Sequence, residues 1–225
     1  MQVENFEEKL RKAANKNGGT FVKADFHIHS PASPDYEYKS TDSVEKLGLT
    51  LNEQGYRYAV ILEHQKMPAR PLLAELKKYC PNTFLIPGAE INIFVDTLSK
   101  KVSKDYFFHG IVAVDPTQQQ DYSFILENAK KKFTYKDTGT YPAGFASSII
   151  DIGRFFIEEG AIFIPAHLHQ TKPPENSRSV DDVYDDETFL GFIREGSFSA
   201  LEVREKATAS FFEGGKKTGD GLDIP

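Results

Sequence analysis

The 225-residue chain is long enough to bury one sizeable core, and 40% hydrophobic with 27% charged residues is the composition of a soluble globular domain. A net charge of −6 argues against a protein that coats duplex DNA with its whole surface, and no apolar run approaches the roughly 20 residues needed to cross a bilayer. The single cysteine, Cys80, permits no internal disulfide, and the charged amino terminus MQVENFEEKLRKAANKNGG lacks a signal-peptide core; both point to a reducing cytoplasm.

Residues 3–15 space Val3, Phe6, Leu10 and Ala13 three to four apart and run into Gly18 and Gly19. This is the pattern of a short amphipathic helix with a glycine stop, expected to pack across one end of the fold. Residues 20–33, TFVKADFHIHSPAS, begin as a hydrophobic strand and place His27 and His29 at its carboxyl end. Strand side chains alternate between faces, so both imidazoles point one way and can reach one metal ion or phosphate. A partly buried pair satisfied by backbone groups fits the same pattern. Ser30 and Pro31 close the strand, and Asp35 follows on a loop rich in Pro, Ser and Asp, either within reach of the strand end or as the turn former after Pro34.

Thr41 or Asp42 can cap a helix that runs to about Gln54 and stops at Gly55, with Val44, Leu47 and Leu51 on its buried face. Residues 58–62 (YAVIL) read as a strand buried on both faces that delivers Glu63 and His64 at its tip. A helix over 71–78 and a turn at Pro81 and Asn82 lead to a strand region over 83–95. That region contains Glu90, a carboxylate whose burial is costly unless it is paired or bound to metal. Residues 107–114 (FFHGIVAV) form the next strand and carry His109. Helices are expected over 121–132 and 146–159, the second turning Phe155 and Phe156 inward and ending at Gly160. Lys130, Lys131, Lys132 and Lys136 cluster where the first of these helices ends, either as a solvated terminus that complements the helix dipole or as a contact to a phosphate backbone.

Residues 161–165 (AIFIP) are a buried strand with His167 and His169 just beyond it. The polar loop TKPPENSRSVDDVYDDE then carries Lys172 and Arg178, which could hold a substrate phosphate or simply face solvent. A helix over 187–195, a sixth strand over 199–203 (SALEV) and an unclosed loop complete the chain. Alternating helices and mostly apolar strands predict an α/β fold with a parallel sheet or barrel, whose functional groups lie at the carboxyl ends of the strands. All six histidines fall within or at the end of a predicted strand. With Glu90, Glu63 and Asp35 they form a nitrogen and oxygen donor set suited to several Zn, Mn or Fe ions, and hence to activating water against a phosphoryl group. His169, facing the same way as His167, is a candidate acid for the leaving oxygen or a phosphate contact; a solvated loop histidine is the alternative.

The run Asp25-Phe26-His27-Ile28-His29-Ser30, then Glu63-His64, Pro87-Gly88-Ala89-Glu90, His109 and Ala166-His167, resembles in order and spacing the polymerase and histidinol phosphatase (PHP) superfamily over nearly the whole chain. The resemblance implies a distorted (β/α)7 TIM-like barrel that holds two or three divalent ions (Mn, Fe or Zn) and hydrolyses phosphoesters. Carried over position by position, it puts His27 and His29 on a first ion, Glu90 between the first and second, His109 and His167 on the second, and Asp35 and His64 on a third. The chain departs from the pattern in carrying Glu63 where family members often have Asp, and in lacking the Asp-x-His motif after the last strand. The barrel is therefore expected to be incomplete at its carboxyl end and the chain to be the amino-terminal part of a longer protein. HSPAS also resembles PHP domains at the amino terminus of proteins with an AAA-like or SMC-like ATPase. Three functions follow: a phosphoesterase acting on a nucleotide or single-stranded nucleic acid, a small-metabolite phosphatase of the histidinol-phosphate type, or a non-catalytic module that regulates a partner ATPase.

Overall fold

The computed structural model describes residues 22–34, 36–94, 106–117, 121–137, 143–166, 184, 186–200 and 202. The helix expected over 3–15 lies outside them. The chain opens with β1 (Lys23–His29), α1 (Ser43–Glu53), β2 (Tyr56–His64), α2 (Arg70–Tyr79) and β3 (Phe84–Phe94). It continues through β4 (Phe107–Ala113), α3 (Phe124–Lys132) and the two short strands β5 (Tyr135–Lys136) and β6 (Gly144–Phe145), which the sequence pattern does not reveal. Then come α4 (Ile149–Glu158), β7 (Ile162–Pro165) and α5 (Asp186–Arg194). Among the described residues no helix is long and apolar enough to cross a membrane.

The main path of the sheet runs β1-β2-β3-β4-β7, with β6 pairing β3 and β5 pairing β6. Helical crossovers α1 and α2 make β1, β2 and β3 parallel, as expected, but β4 is antiparallel to both β3 and β7. The sheet is therefore mixed rather than parallel. The connection between β3 and β4, residues 95–106, is at the lower limit of the dozen or more residues, usually helical, that a parallel return needs. Residues 199, 200 and 202, within the expected sixth strand, are not in a strand.

Local chemistry accounts for the helix ends. Gly55 and Gly160, the expected stops among the described residues, adopt φ of 72° and 79°, the left-handed conformation that glycine adopts without a Cβ clash. Asp42 stands at the start of α1, but its carboxylate takes Tyr38, Ser40 and Lys46 instead of capping the helix backbone.

The two faces of the sheet are apolar for different partners. Ala59, Ile61 and Leu85 pack on Leu51 of α1 and on Leu76 and Cys80 at α2, while Ala89, Ile91, Ile93 and Phe108 meet α3 and α4 through Ile125, Leu126, Ile152 and Phe156. On the opposite face Val60, Leu62, Ile111, Ala113, Ile164 and Ala166 form a small cluster of their own. On that face, side chains of β1 and β3 meet across β2. The two strands are two strand spacings, about 9.6 Å, apart. Yet His27 Nε2 on β1 lies 3.5 Å from Glu90 Oε1 on β3. Among the described residues no ladder joins β1 to β7.

Candidate metal centre

That face of the sheet carries its polar groups in one layer beside the apolar cluster. On β2 the alternation Val60, Leu62, His64 points two aliphatic groups into the cluster and the imidazole to its rim. In the ladder His64 is paired with Glu90 and Asn92 with His109, so all four share a face. The histidines of β1 and β2 come at the carboxyl ends of their strands, and His109 near the amino end of its own. Because β4 is reversed, these ends meet.

Glu90 lies at the centre, only 1% exposed. Its Oε2 lies 3.1 Å from His29 Nε2 and 3.6 Å from His64 Nδ1, and its Oε1 lies 2.6 Å from His109 Nδ1 and 3.5 Å from His27 Nε2. His27 Nε2 and His29 Nε2 are 3.3 Å apart. Two groups of candidate ligands result, His27, His29 and Glu90 in one and His64, Glu90 and His109 in the other, each with its donor atoms within 4.8 Å of one another. Donors about 2.1 Å from a tetrahedral ion stand about 3.4 Å apart; His27 Nε2 and His29 Nε2 meet that spacing at 3.3 Å, while Glu90 approaches them through different oxygens, Oε1 toward His27 and Oε2 toward His29. The second group is less even, and it brings His64 beside Glu90 and His109, whereas the resemblance puts His64 with Asp35 on a third ion.

The far sides of the β1 imidazoles are also held. His29 Nδ1 lies 3.2 Å from the buried Ser33 Oγ, and His27 Nδ1 lies 3.1 and 3.2 Å from the two carboxylate oxygens of Glu202. Burial pulls the His27 pKa down, but hydrogen bonds and charge from Glu202 and Glu90 outweigh it and hold the group up from 6.5 to about 9. Without metal the ring is therefore a cation at neutral pH, and an ion must displace its Nε2 proton. Gln65, next to His64, is the one non-glycine residue with positive φ (58°) among the described residues; its N–H donates to Glu90 O at 2.8 Å and its Oε1 accepts from Tyr135 at 3.3 Å. Backbone strain of about 1 kcal/mol or more is thus held between the two ligand strands.

Of the expected site residues, His27, His29, His64, Glu90 and His109 converge. Asp35, His167, His169, Lys172 and Arg178 lie outside the described residues. Glu63 is buried, but its carboxylate accepts from Ser30 Oγ at 2.9 Å and pairs with Lys66 at 3.1 Å, tying the ends of β1 and β2 together. Of the basic cluster, Lys130 pairs with Glu127 at 3.2 Å and lies over the ring of Tyr135, Lys132 covers Phe133 and Phe155, and Lys136 covers Phe94. Sequence reading misses Ser33 and Glu202. For Glu202 the signal was available: a carboxylate between Leu201 and Val203 raises the same question as Glu90 in its apolar run.

No protein-family model matches the chain, and no curated protein matches it by sequence. Solved structures do. A candidate metal-dependent phosphoesterase from Bifidobacterium adolescentis superposes with a TM-score of 0.51 at 14% identity, over 81% of this chain and 77% of that one. What the two share is a fold. Endonuclease Q, in complex with a 27-mer duplex that has an abasic lesion at the active site, gives a TM-score of 0.41 at 15% identity, over 73% of this chain and 40% of that one.

Proposed function

We propose that this chain is a metal-dependent phosphoesterase of the PHP type, built on a curled sheet of that superfamily's barrel architecture. The observation that carries the reading is the shared carboxylate: Glu90 stands between two histidine pairs, with one oxygen facing His27 and the other His29. His27, His29 and Glu90 would hold one divalent ion, and Glu90, His64 and His109 a second. His167 would join the second, and Asp35 a third, on the sequence resemblance. When bound, such ions supply Lewis acidity toward a phosphoryl oxygen and lower the pKa of water. The chain contributes a buried anion that offsets the charge of the ions and histidines whose outer nitrogens are already engaged by Ser33 and Glu202. His169 is the proposed proton donor to the leaving oxygen, and Lys172 and Arg178 the proposed phosphate contacts. Manganese, iron and zinc all suit these donors. A nucleotide or the end of a single-stranded nucleic acid is the proposed substrate, and an AAA-like or SMC-like ATPase the proposed partner.

The test is metal content by plasma mass spectrometry together with phosphoester hydrolysis in added manganese. One or more ions per chain, lost in the double variant His27→Ala/His109→Ala together with turnover, is the expected result. Metal without turnover on either a phosphomonoester or a single-stranded oligonucleotide would replace the enzyme reading with that of a docking module. Activity on the phosphomonoester alone would replace the nucleic-acid substrate with a small metabolite.

A further inference from the structure

We propose that Glu202 is a positioning residue of the metal centre, accepting the Nδ1 proton of His27 and thereby turning Nε2 of that ring toward His29 and Glu90. The inference rests on the reading that this centre binds a divalent ion. Its basis is geometric. Glu202 places both oxygens on Nδ1, at 3.2 and 3.1 Å, whereas the nitrogen that faces the other donors is Nε2. The two nitrogens of an imidazole point away from each other, so Glu202 stands behind the ring and outside the donor set. A carboxylate in that place selects the tautomer, fixes the ring plane and makes the ligating nitrogen more basic. The contact is also built rather than incidental. Ser199 N–H donates to Phe163 O at 2.8 Å and Phe163 N–H donates to Ser199 Oγ at 3.0 Å, fastening the approach to Glu202 along β7. The carboxylate itself is 19% exposed. Ser33 plays the matching part for His29 with a neutral oxygen, so His27 is the ring held by charge.

The experiment uses the full chain with 15N-labelled histidine. Zinc affinity is measured by competition with a chromophoric chelator, and the His27 Nδ1–H signal is followed by 15N–1H correlation with and without zinc. Wild type should show a protected Nδ1–H on His27 in both states. Glu202→Ala should lose that signal and bind zinc about 10- to 100-fold more weakly, the usual cost of removing such a partner. Glu202→Gln keeps the shape and an acceptor oxygen, so it should retain the signal and lose less affinity. Glu195→Ala, which breaks an exposed pair with Arg154, should change neither. Wild-type zinc uptake with unchanged affinity and an unchanged Nδ1–H in Glu202→Ala would overturn the proposal and leave the metal centre standing. Absence of zinc uptake by wild type would overturn both. Should Glu202→Ala fail to fold, the Glu202→Gln pair of readouts decides, with no loss of affinity counting against the proposal.

Discussion

His109 Nδ1 lies 2.6 Å from Glu90 Oε1, a contact made across the one antiparallel junction that β3 forms along its length. It ties Oε1 of the buried carboxylate to β4, with His27 of β1 also facing that oxygen, while Oε2 faces His29 of β1 and His64 of β2. Replacing Glu90 should therefore empty both ligand groups at once. Glu90→Gln is expected to reduce bound metal below that of any single histidine variant and to lower phosphoester turnover by about 100-fold or more, beyond the usual cost of an outer partner. Metal content and kcat measured on the same preparations check this.

Glu63 provides the contrast. Its oxygens belong to Ser30 and Lys66, so Glu63→Ala should leave metal content unchanged while destabilising the fold by about 1–3 kcal/mol, because the Ser30 hydroxyl loses a buried acceptor. Urea unfolding beside metal analysis separates the two effects. A variant of normal stability that has lost metal would make Glu63 a ligand.

The pH dependence of the metal-free protein follows from His27. Its folded pKa, about 9, lies above the ordinary 6.5, so the cation is favoured by folding. The stability contributed is fully present below pH 6.5 and is lost as pH rises through about 9. The stability gap between wild type and His27→Gln, both stripped of metal, should accordingly shrink between pH 6.5 and 9.5, as read from urea midpoints. A gap that widens with pH would contradict the assignment.

Gly153 in α4 packs so closely that an added Cβ would stand 2.2 Å from Ser197 O and 3.0 Å from the Phe163 ring. Gly153→Ala should cost about 1–3 kcal/mol by overpacking, despite alanine's better helix propensity. In a chain of this size that is a fall in Tm of roughly 3–10 °C. Differential scanning fluorimetry measures it directly.

Burial raises the pKa of the Cys80 thiol, only partly countered by Lys77, and its Sγ donates to Leu76 O at 3.2 Å. The folded protein should thus react with a disulfide reagent orders of magnitude more slowly than the unfolded chain. Rapid labelling under native conditions would show that the α2 end opens.

Much of this was legible in the sequence because strands announce themselves by composition and their ends by polar residues. YAVIL followed by Glu63 and His64, and the isolated Glu90, led directly to the centre. Strand direction was written less openly. In FFHGIVAV the histidine comes at the start of the apolar run rather than after it, which is the mark of a reversed strand whose amino end joins the carboxyl ends of its neighbours. Tyr135, Lys136, Gly144 and Phe145 form strands too short for any period to show. Glu202 carries the same local signal as Glu90, but its partner is 175 residues away, and no local pattern names that partner.

That separation also orders events in time. His27 is synthesised 175 residues before the carboxylate that holds it. Contacts so distant along the chain are slow to close, because the intervening loop entropy is lost before the contact is gained. During translation the β1, β2 and β3 ligands can assemble first as an open, weakly holding claw. Secure retention of an ion in the proposed centre waits for Glu202 to reach His27. In the proposed reading, secure metal loading should then follow the synthesis of Glu202, and be sensitive to which ion is abundant at that point.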